Sequence, residues 1–272
     1  MLKRLFFLLF ASLSLHATDH YVLLFFLGPE GCPWSEKFQT EIVQQSDFID
    51  AVRDRLSLEK GEVASDAITT FPTLFLMNAA REKISELPYH PVGSTEYAKY
   101  VNEVLDFIAS VDEDPDLETL YTRAQALGLK EIEAKLLQKG LQNNKGIFFL
   151  LQHYEQVVKS KKHTDPEVKM LRKKILERDP HNRQGIALKV AFLDFGGRKV
   201  HFGHRDNPRK VVKPLLDYVE AWGKKDKANL WQVELEIARY FLSKHNHTSA
   251  RRHAEAARRA VSQVGLLFQE EM

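Results

Sequence analysis

The chain has 272 residues and a mass of 31.4 kDa, with 44% hydrophobic and 28% charged residues, a length that suits two modest domains. That composition excludes wholesale disorder, a collagen-like repeat and a polytopic membrane protein. The 39 Lys and Arg against 37 Asp and Glu leave +2, too balanced to point to nucleic acid as the main partner. The single cysteine, Cys32, excludes an intramolecular disulfide and any zinc site built on two thiolates.

Lys3 and Arg4 precede an apolar run from Leu5 to Leu15, and Leu15-His16-Ala17 fits a cleavage site. This is the three-part pattern of a secretory signal peptide over residues 1–17. The run is shorter than the roughly 20 apolar residues of a membrane helix, and its alternatives are an uncleaved anchor or a buried first strand. Removal of residues 1–17 would leave 37 basic and 37 acidic side chains. The expected location is periplasmic or otherwise extracytoplasmic, with no stable membrane span after signal removal, in a compartment where disulfides form and persist.

Tyr21 to Leu27 is a continuous apolar run closed by Gly28-Pro29, which predicts a strand buried on both faces. After Gly31-Cys32-Pro33, the residues Trp34, Phe38, Ile42 and Val43 recur at helical spacing, and Pro33 suits a first helical turn. A strand over Leu56 to Leu58 and a short helix near Val63 to Ile68 follow. Phe71-Pro72-Thr73-Leu74-Phe75-Leu76-Met77 reads as a strand entered through a proline, and Ile84 to Leu87 as the next strand. Ser94 is the predicted cap of an amphipathic helix with Tyr97, Tyr100, Val101, Val104, Leu105 and Ile108 on its apolar side. Asp112-Glu113-Asp114-Pro115-Asp116 breaks the pattern. Beyond it, residues 117–268 show helical periodicity with a loop from Gly196 to Pro208, and the domains are placed at 18–110 and 111–272.

Ile237, Ala238, Phe241, Ala250, Ala254 and Ala257 resemble the small-and-large spacing of a tetratricopeptide repeat, and Asp179-Pro180-His181-Asn182 with Ala187 resembles a junction between two such repeats. An unrelated helical bundle is the alternative.

The chemistry converges on Gly31-Cys32-Pro33-Trp34-Ser35 and Phe71-Pro72-Thr73. The first motif places a sulfur at a strand-to-helix turn, where free backbone N–H groups and the helix dipole favour the thiolate, the species that attacks disulfides. Ser35 offers a hydroxyl hydrogen bond to the sulfur. Lys37 adds positive charge if its side chain folds back.

Residues 20 to 109 here resemble the thioredoxin superfamily: buried strand, Cys-x-x-Ser turn, helix, Phe-Pro-Thr, second strand and terminal helix. The resemblance implies an α/β thioredoxin-like domain followed by an all-α helical-hairpin domain. It implies that Cys32 is the nucleophile, that Pro72 is a cis-proline beside it, and that Phe71 and Pro72 shape the substrate groove; Trp34 offers substrate an apolar contact beside the sulfur, with packing on the first helix as its alternative role. Three departures stand out. The second cysteine is Ser35, the buried acid six residues before the cysteine is Phe26, and the usual preceding tryptophan is Gly31. The expected function is that of an exported monothiol disulfide isomerase working through mixed disulfides. Its expected partners are disulfide-containing or unfolded exported proteins, with a small thiol or a reductase for recycling. No cofactor and no nucleic acid are expected. The alternative is a non-catalytic chaperone or adaptor, with Cys32 an inert free thiol.

Other motifs carry less. His201-Phe202-Gly203-His204 and His245-Asn246-His247 lack the three or four convergent ligands of a metal site, and no metal is expected. Gly196-Gly197-Arg198-Lys199 lacks the spacing of a phosphate loop. Arg251, Arg252, Arg258 and Arg259 share one side of a helix, which reads as a solvated face or as a dock for an acidic partner or a membrane.

Overall fold

The computed structural model describes residues 20–62, 68–111, 116–143, 146–202 and 207–269, with side chains of the last helix described to Val261. The signal-peptide segment, most of the helix expected near Val63 to Ile68, and Asp112 to Pro115 lie outside the described residues.

Strands β1 (Tyr21–Phe26), β2 (Leu56–Lys60), β3 (Thr73–Met77) and β4 (Lys83–Leu87) form one sheet in the order β2-β1-β3-β4. β1 runs parallel to β2, pairing Leu23 with Leu58, and antiparallel to β3, pairing Leu23 with Leu76. β3 is antiparallel to β4. A parallel pair needs a crossover. It is supplied by α1 (Pro33–Phe38), a π-helical turn (Gln39–Val43) and α2 (Ser46–Val52). The single helix expected from Trp34 to Val43 is therefore broken in register after Phe38, and α2 was not expected at all.

α3 (Ser94–Ser110) buries Tyr97, Ala98, Val101, Val104, Leu105 and Phe107. Its cap is Gly93, and Ser94 is its first helical residue with no side-chain capping bond, which corrects the expected Ser94 cap. The core holds Leu23, Phe38, Ile42, Phe48, Leu74, Leu76 and Tyr97, all fully buried. The Phe38 ring meets Phe25, Tyr89 and Tyr97 edge-on at 5.8, 5.3 and 6.1 Å, geometry that aromatic quadrupoles favour.

The rest is helical: α4 (Leu117–Ala126), α5 (Lys130–Gln142), α6 (Gly146–Ser160), α7 (Pro166–Leu176), α8 (Ile186–His201), α9 (Pro208–Trp222), α10 (Lys227–Ser243) and α11 (His247–Gln269). No helix among the described residues is long and apolar enough to cross a membrane. The chain divides into two compact units, one ending at Lys139 and the next beginning at Gly140. The boundary expected at 110/111 adjoins residues outside the described set. α4 and most of α5 group with the sheet because polar ties hold them there: the Tyr100 hydroxyl donates to Leu127 O at 2.9 Å, and Glu131 reaches β4.

Glu131 takes the Lys83 ammonium at 2.7 Å, the Ser85 hydroxyl at 2.9 Å and the Glu86 amide at 3.2 Å. Burial works against its ionisation, but these three donors outweigh it and hold the carboxyl at about 2. The depressed value stabilises the fold above the unfolded carboxyl range, and that stability is lost as pH falls towards 2. The full shift corresponds to about 3 kcal/mol. With 35% of the side chain exposed, solvent screening leaves about 1–2 kcal/mol. Glu131→Gln should therefore lower stability by about that amount at pH 7. The gap to wild type should narrow as pH falls below 4.5 and close near pH 2 in urea melts, and an unchanged gap at low pH would refute this pairing.

In the second unit, α6, α7 and α8 enclose Leu150, Tyr154, Val158, Leu171, Ile175 and Val190. α8, α9 and α10 enclose Phe195, Val211, Leu215, Val233, Ile237 and Phe241. α8 serves both clusters. Gly196 and Gly197 lie inside it, not in the loop expected from Gly196 onward, and the fold needs the second of them bare. A Cβ at Gly197 would come 2.5 Å from the carbonyl oxygen of Val158 on α6. The Asp179 carboxylate gathers the amides of Arg183 and Gln184 at 2.7 and 2.9 Å and so shapes the turn into α8. α10 and α11 form a helical hairpin that buries Ile237, Ala238, Phe241, Ala250 and Ala257, whereas Ala254 faces outward.

The two units differ sharply in charge. Residues 1–139 carry 13 Lys and Arg against 22 Asp and Glu, a formal −9. From Gly140 onward there are 26 against 15, a formal +11. The near-neutral sum of the whole chain hides a strongly basic helical unit.

Candidate functional site

β1 ends at Phe26, and the turn that follows carries the sulfur. Gly31 adopts φ +82°, a conformation that glycine reaches without strain. Cys32 is the N-cap of α1 with extended backbone, and its carbonyl accepts the Glu36 amide at 3.0 Å. Its thiol is partly exposed.

Ser35 is 4% exposed and sits between two groups. The Gly28 amide donates to its Oγ at 2.8 Å, and that Oγ donates to the Cys32 sulfur at 3.3 Å. The first bond occupies a lone pair of the hydroxyl and turns its hydrogen towards the sulfur. The Ser35 hydroxyl is the main cause of a thiol pKa below the ordinary value. The backbone amides of Ser35 and Trp34 add to it, while desolvation and the Glu36 carboxylate oppose.

Gly28 ends the apolar run of β1 in the sequence, yet it is a member of the site. A Cβ there would lie 3.1 Å from both the Cys32 sulfur and the Phe71 Cβ. Phe71, which leads into the cis Phe71-Pro72 bond, therefore approaches Gly28 as closely as the sulfur does. Phe71 and Pro72 are half-buried, at the entry to β3.

Trp34 is 49% exposed beside the turn. The Lys37 ammonium lies over its ring at 5.8 Å and is absent from the groups that act on the sulfur, so the condition for Lys37 to tune Cys32, a fold-back of its side chain, is not met. Phe26, where a buried acid would act as proton acceptor, packs edge-on to Phe75 at 5.4 Å in apolar surroundings. Of the other motifs, His201 Nε2 meets Val158 O at 3.1 Å, and Gly203 and His204 lie outside the described residues.

A sheet with a parallel crossover, a cysteine capping the crossover helix, and a Phe71 that approaches Gly28 ahead of a cis-proline make a thioredoxin-like domain. The fold, with a helical C-terminal part, and the sequence match that follows support a thioredoxin-superfamily protein. No protein-family model matches it. It is 31% identical over 144 residues to the thioredoxin-related protein DsbJ of Chlamydia pneumoniae, a match spanning 52% of this chain and 41% of that protein. The chain thus covers about two fifths of that relative's length. A solved structure named DsbH oxidoreductase is 22% identical, with a TM-score of 0.28, over 32% of this chain and 74% of its own. That likeness is too distant to argue from.

Proposed function

We propose that this protein is a thiol–disulfide exchange protein that uses Cys32 as its single nucleophile, acting as a monothiol disulfide isomerase on exported or envelope proteins. The observation that carries this reading is the Gly28–Ser35–Cys32 chain, which stabilises the thiolate on a partly exposed sulfur. The relative's name, thioredoxin-related, supports the same class of chemistry.

The Cys32 thiolate attacks one sulfur of a mispaired substrate disulfide. A new S–S bond joins protein to substrate, and the other substrate sulfur leaves as a thiolate. A different substrate thiolate then attacks the mixed disulfide and displaces Cys32 as thiolate. The number of disulfides is unchanged, so no net oxidant or reductant is required. Ser35 cannot resolve the intermediate, and a mixed disulfide with no second substrate thiol waits for a small thiol or a reductase. Phe71 and Pro72 would form one wall of the substrate groove, and exposed Trp34 an apolar contact beside the sulfur. The pattern at residues 1–17 supports an extracytoplasmic location, and the helical domain would supply a partner surface.

A second reading, an adaptor or chaperone without sulfur chemistry, draws support from the cavities on the helical unit described below. The test is reactivation of a mispaired-disulfide protein in a glutathione buffer. Catalytic amounts of the full chain should speed the return to native pairing, and a rate equal to that of the buffer alone would contradict the isomerase reading.

A further inference from the structure

Two cavities flank α10 in the basic unit. One, of about 530 Å³, lies between α8 and α10 and is lined by Lys199, Val200, Arg239, Tyr240 and Lys244, with Glu236 its one carboxylate. The other, of about 450 Å³, lies between α10 and α11 and is floored by Leu235, Ala238, Leu242, Ala250 and Ala254. Arg239 lines both, so they make a continuous surface across the helix. Each holds a large exposed apolar side chain, Val200 at 63% and Leu242 at 54%. Exposed apolar groups rimmed by one sign of charge mark an interaction surface.

The cations are held for use at the surface. Lys199 lies over the Phe195 ring at 5.1 Å and Lys244 over Tyr240 at 5.6 Å. Arg239 makes a long 3.9 Å pair with Glu236, and Arg251 a 2.9 Å pair with Glu255 on the neighbouring helix. Such exposed pairs contribute little and yield readily to an incoming carboxylate. Each half of the surface is a cavity, which suits inserted side chains better than a bilayer, and the apolar floor of the second suits a peptide better than a nucleic acid backbone.

We propose that these two cavities form one docking surface for an acidic amphipathic segment of a partner protein. Carboxylates of the segment meet Lys199, Arg239 and Lys244, and its apolar side chains cover Val200 and Leu242. The proposal is independent of the sulfur chemistry, and its test uses a probe without cysteine. A fluorescent peptide of about 18 residues, with Glu and Leu on opposite helical faces, is titrated with the full chain.

Saturable binding that weakens on raising salt to about 0.5 M is expected. Arg239→Glu and Leu242→Ser, both surface changes checked by circular dichroism, should each weaken it at least about tenfold, while Cys32→Ser should not. Absence of saturable binding, or equal binding by both variants, overturns the proposal. So does displacement of the peptide by anionic phospholipid vesicles or an oligonucleotide at lower concentration. A wild-type dimer that Arg239→Glu converts to monomer also overturns it, because a second copy would then be the occupant.

Discussion

Cys32→Ser is expected to reduce disulfide reshuffling to the rate of the buffer while leaving the fold intact. The substituted oxygen is nearly isosteric and still sits at the N-cap of α1, so the turn from Gly31 to Ser35 keeps its backbone bonds. The reaction is lost because a serine hydroxyl remains protonated at neutral pH and cannot form a mixed disulfide, whereas the thiolate does both tasks. A second cysteine cannot substitute, since none exists. Reshuffling that survives in Cys32→Ser would assign the effect to binding by the rest of the molecule, and the adaptor reading would replace the isomerase.

The second large effect lies in the helical unit. Asp194 on α8 is 9% exposed, accepts a hydrogen bond from the fully buried Tyr154 hydroxyl, and takes the Arg172 Nε at 2.8 Å. Burial, and next the Asp194 charge, push the Tyr154 hydroxyl well above its usual range, so it stays a donor at every relevant pH. Arg198, whose Nε has no hydrogen-bond partner, also feels this carboxylate. Asp194→Ala leaves one buried hydroxyl without an acceptor and removes the only anion acting on Arg172 at contact distance among the described residues. Orphaning a buried polar group costs about 1–3 kcal/mol, and breaking a buried charge pair about 3–5. Arg172 is half-exposed, which favours the lower end, and a total near 3 kcal/mol is expected. Urea unfolding of the helical unit should show it, with Asp194→Asn losing less because an acceptor remains. A loss under about 1 kcal/mol would mean that the network is solvated.

All four strands were legible: β1 and β3 as apolar runs, β2 and β4 as short segments carrying Leu56 with Leu58 and Ile84 with Leu87. α2 was not: only Phe48 and Val52 of its seven residues are buried, and Gln45 before it makes no side-chain cap, so its pattern is too short to read. The paired glycines of α8 read as a loop because glycine disfavours helix interiors. Only the contact with Val158 shows why Gly197 is bare. Within the site, Cys32, Ser35 and the proline loop were legible as chemical groups. Gly28 was not, since its contribution is a backbone amide and the absence of a side chain. The fate of Lys37 depended on a choice between the sulfur and the Trp34 ring that spacing alone does not make. The basic helical surface was hidden by arithmetic: opposite charges in the two units cancel in the sum.

Ser35 and the turn amides activate the Cys32 thiol. The direct measurement is the rate of Cys32 alkylation against pH in the full chain, in Ser35→Ala and in a small free thiol run alongside. The wild-type midpoint is expected clearly below that of the free thiol, with an upward move in Ser35→Ala, because the hydroxyl is the largest of the lowering influences. A wild-type midpoint at or above the free thiol, or one that Ser35→Ala leaves in place, would contradict this activation.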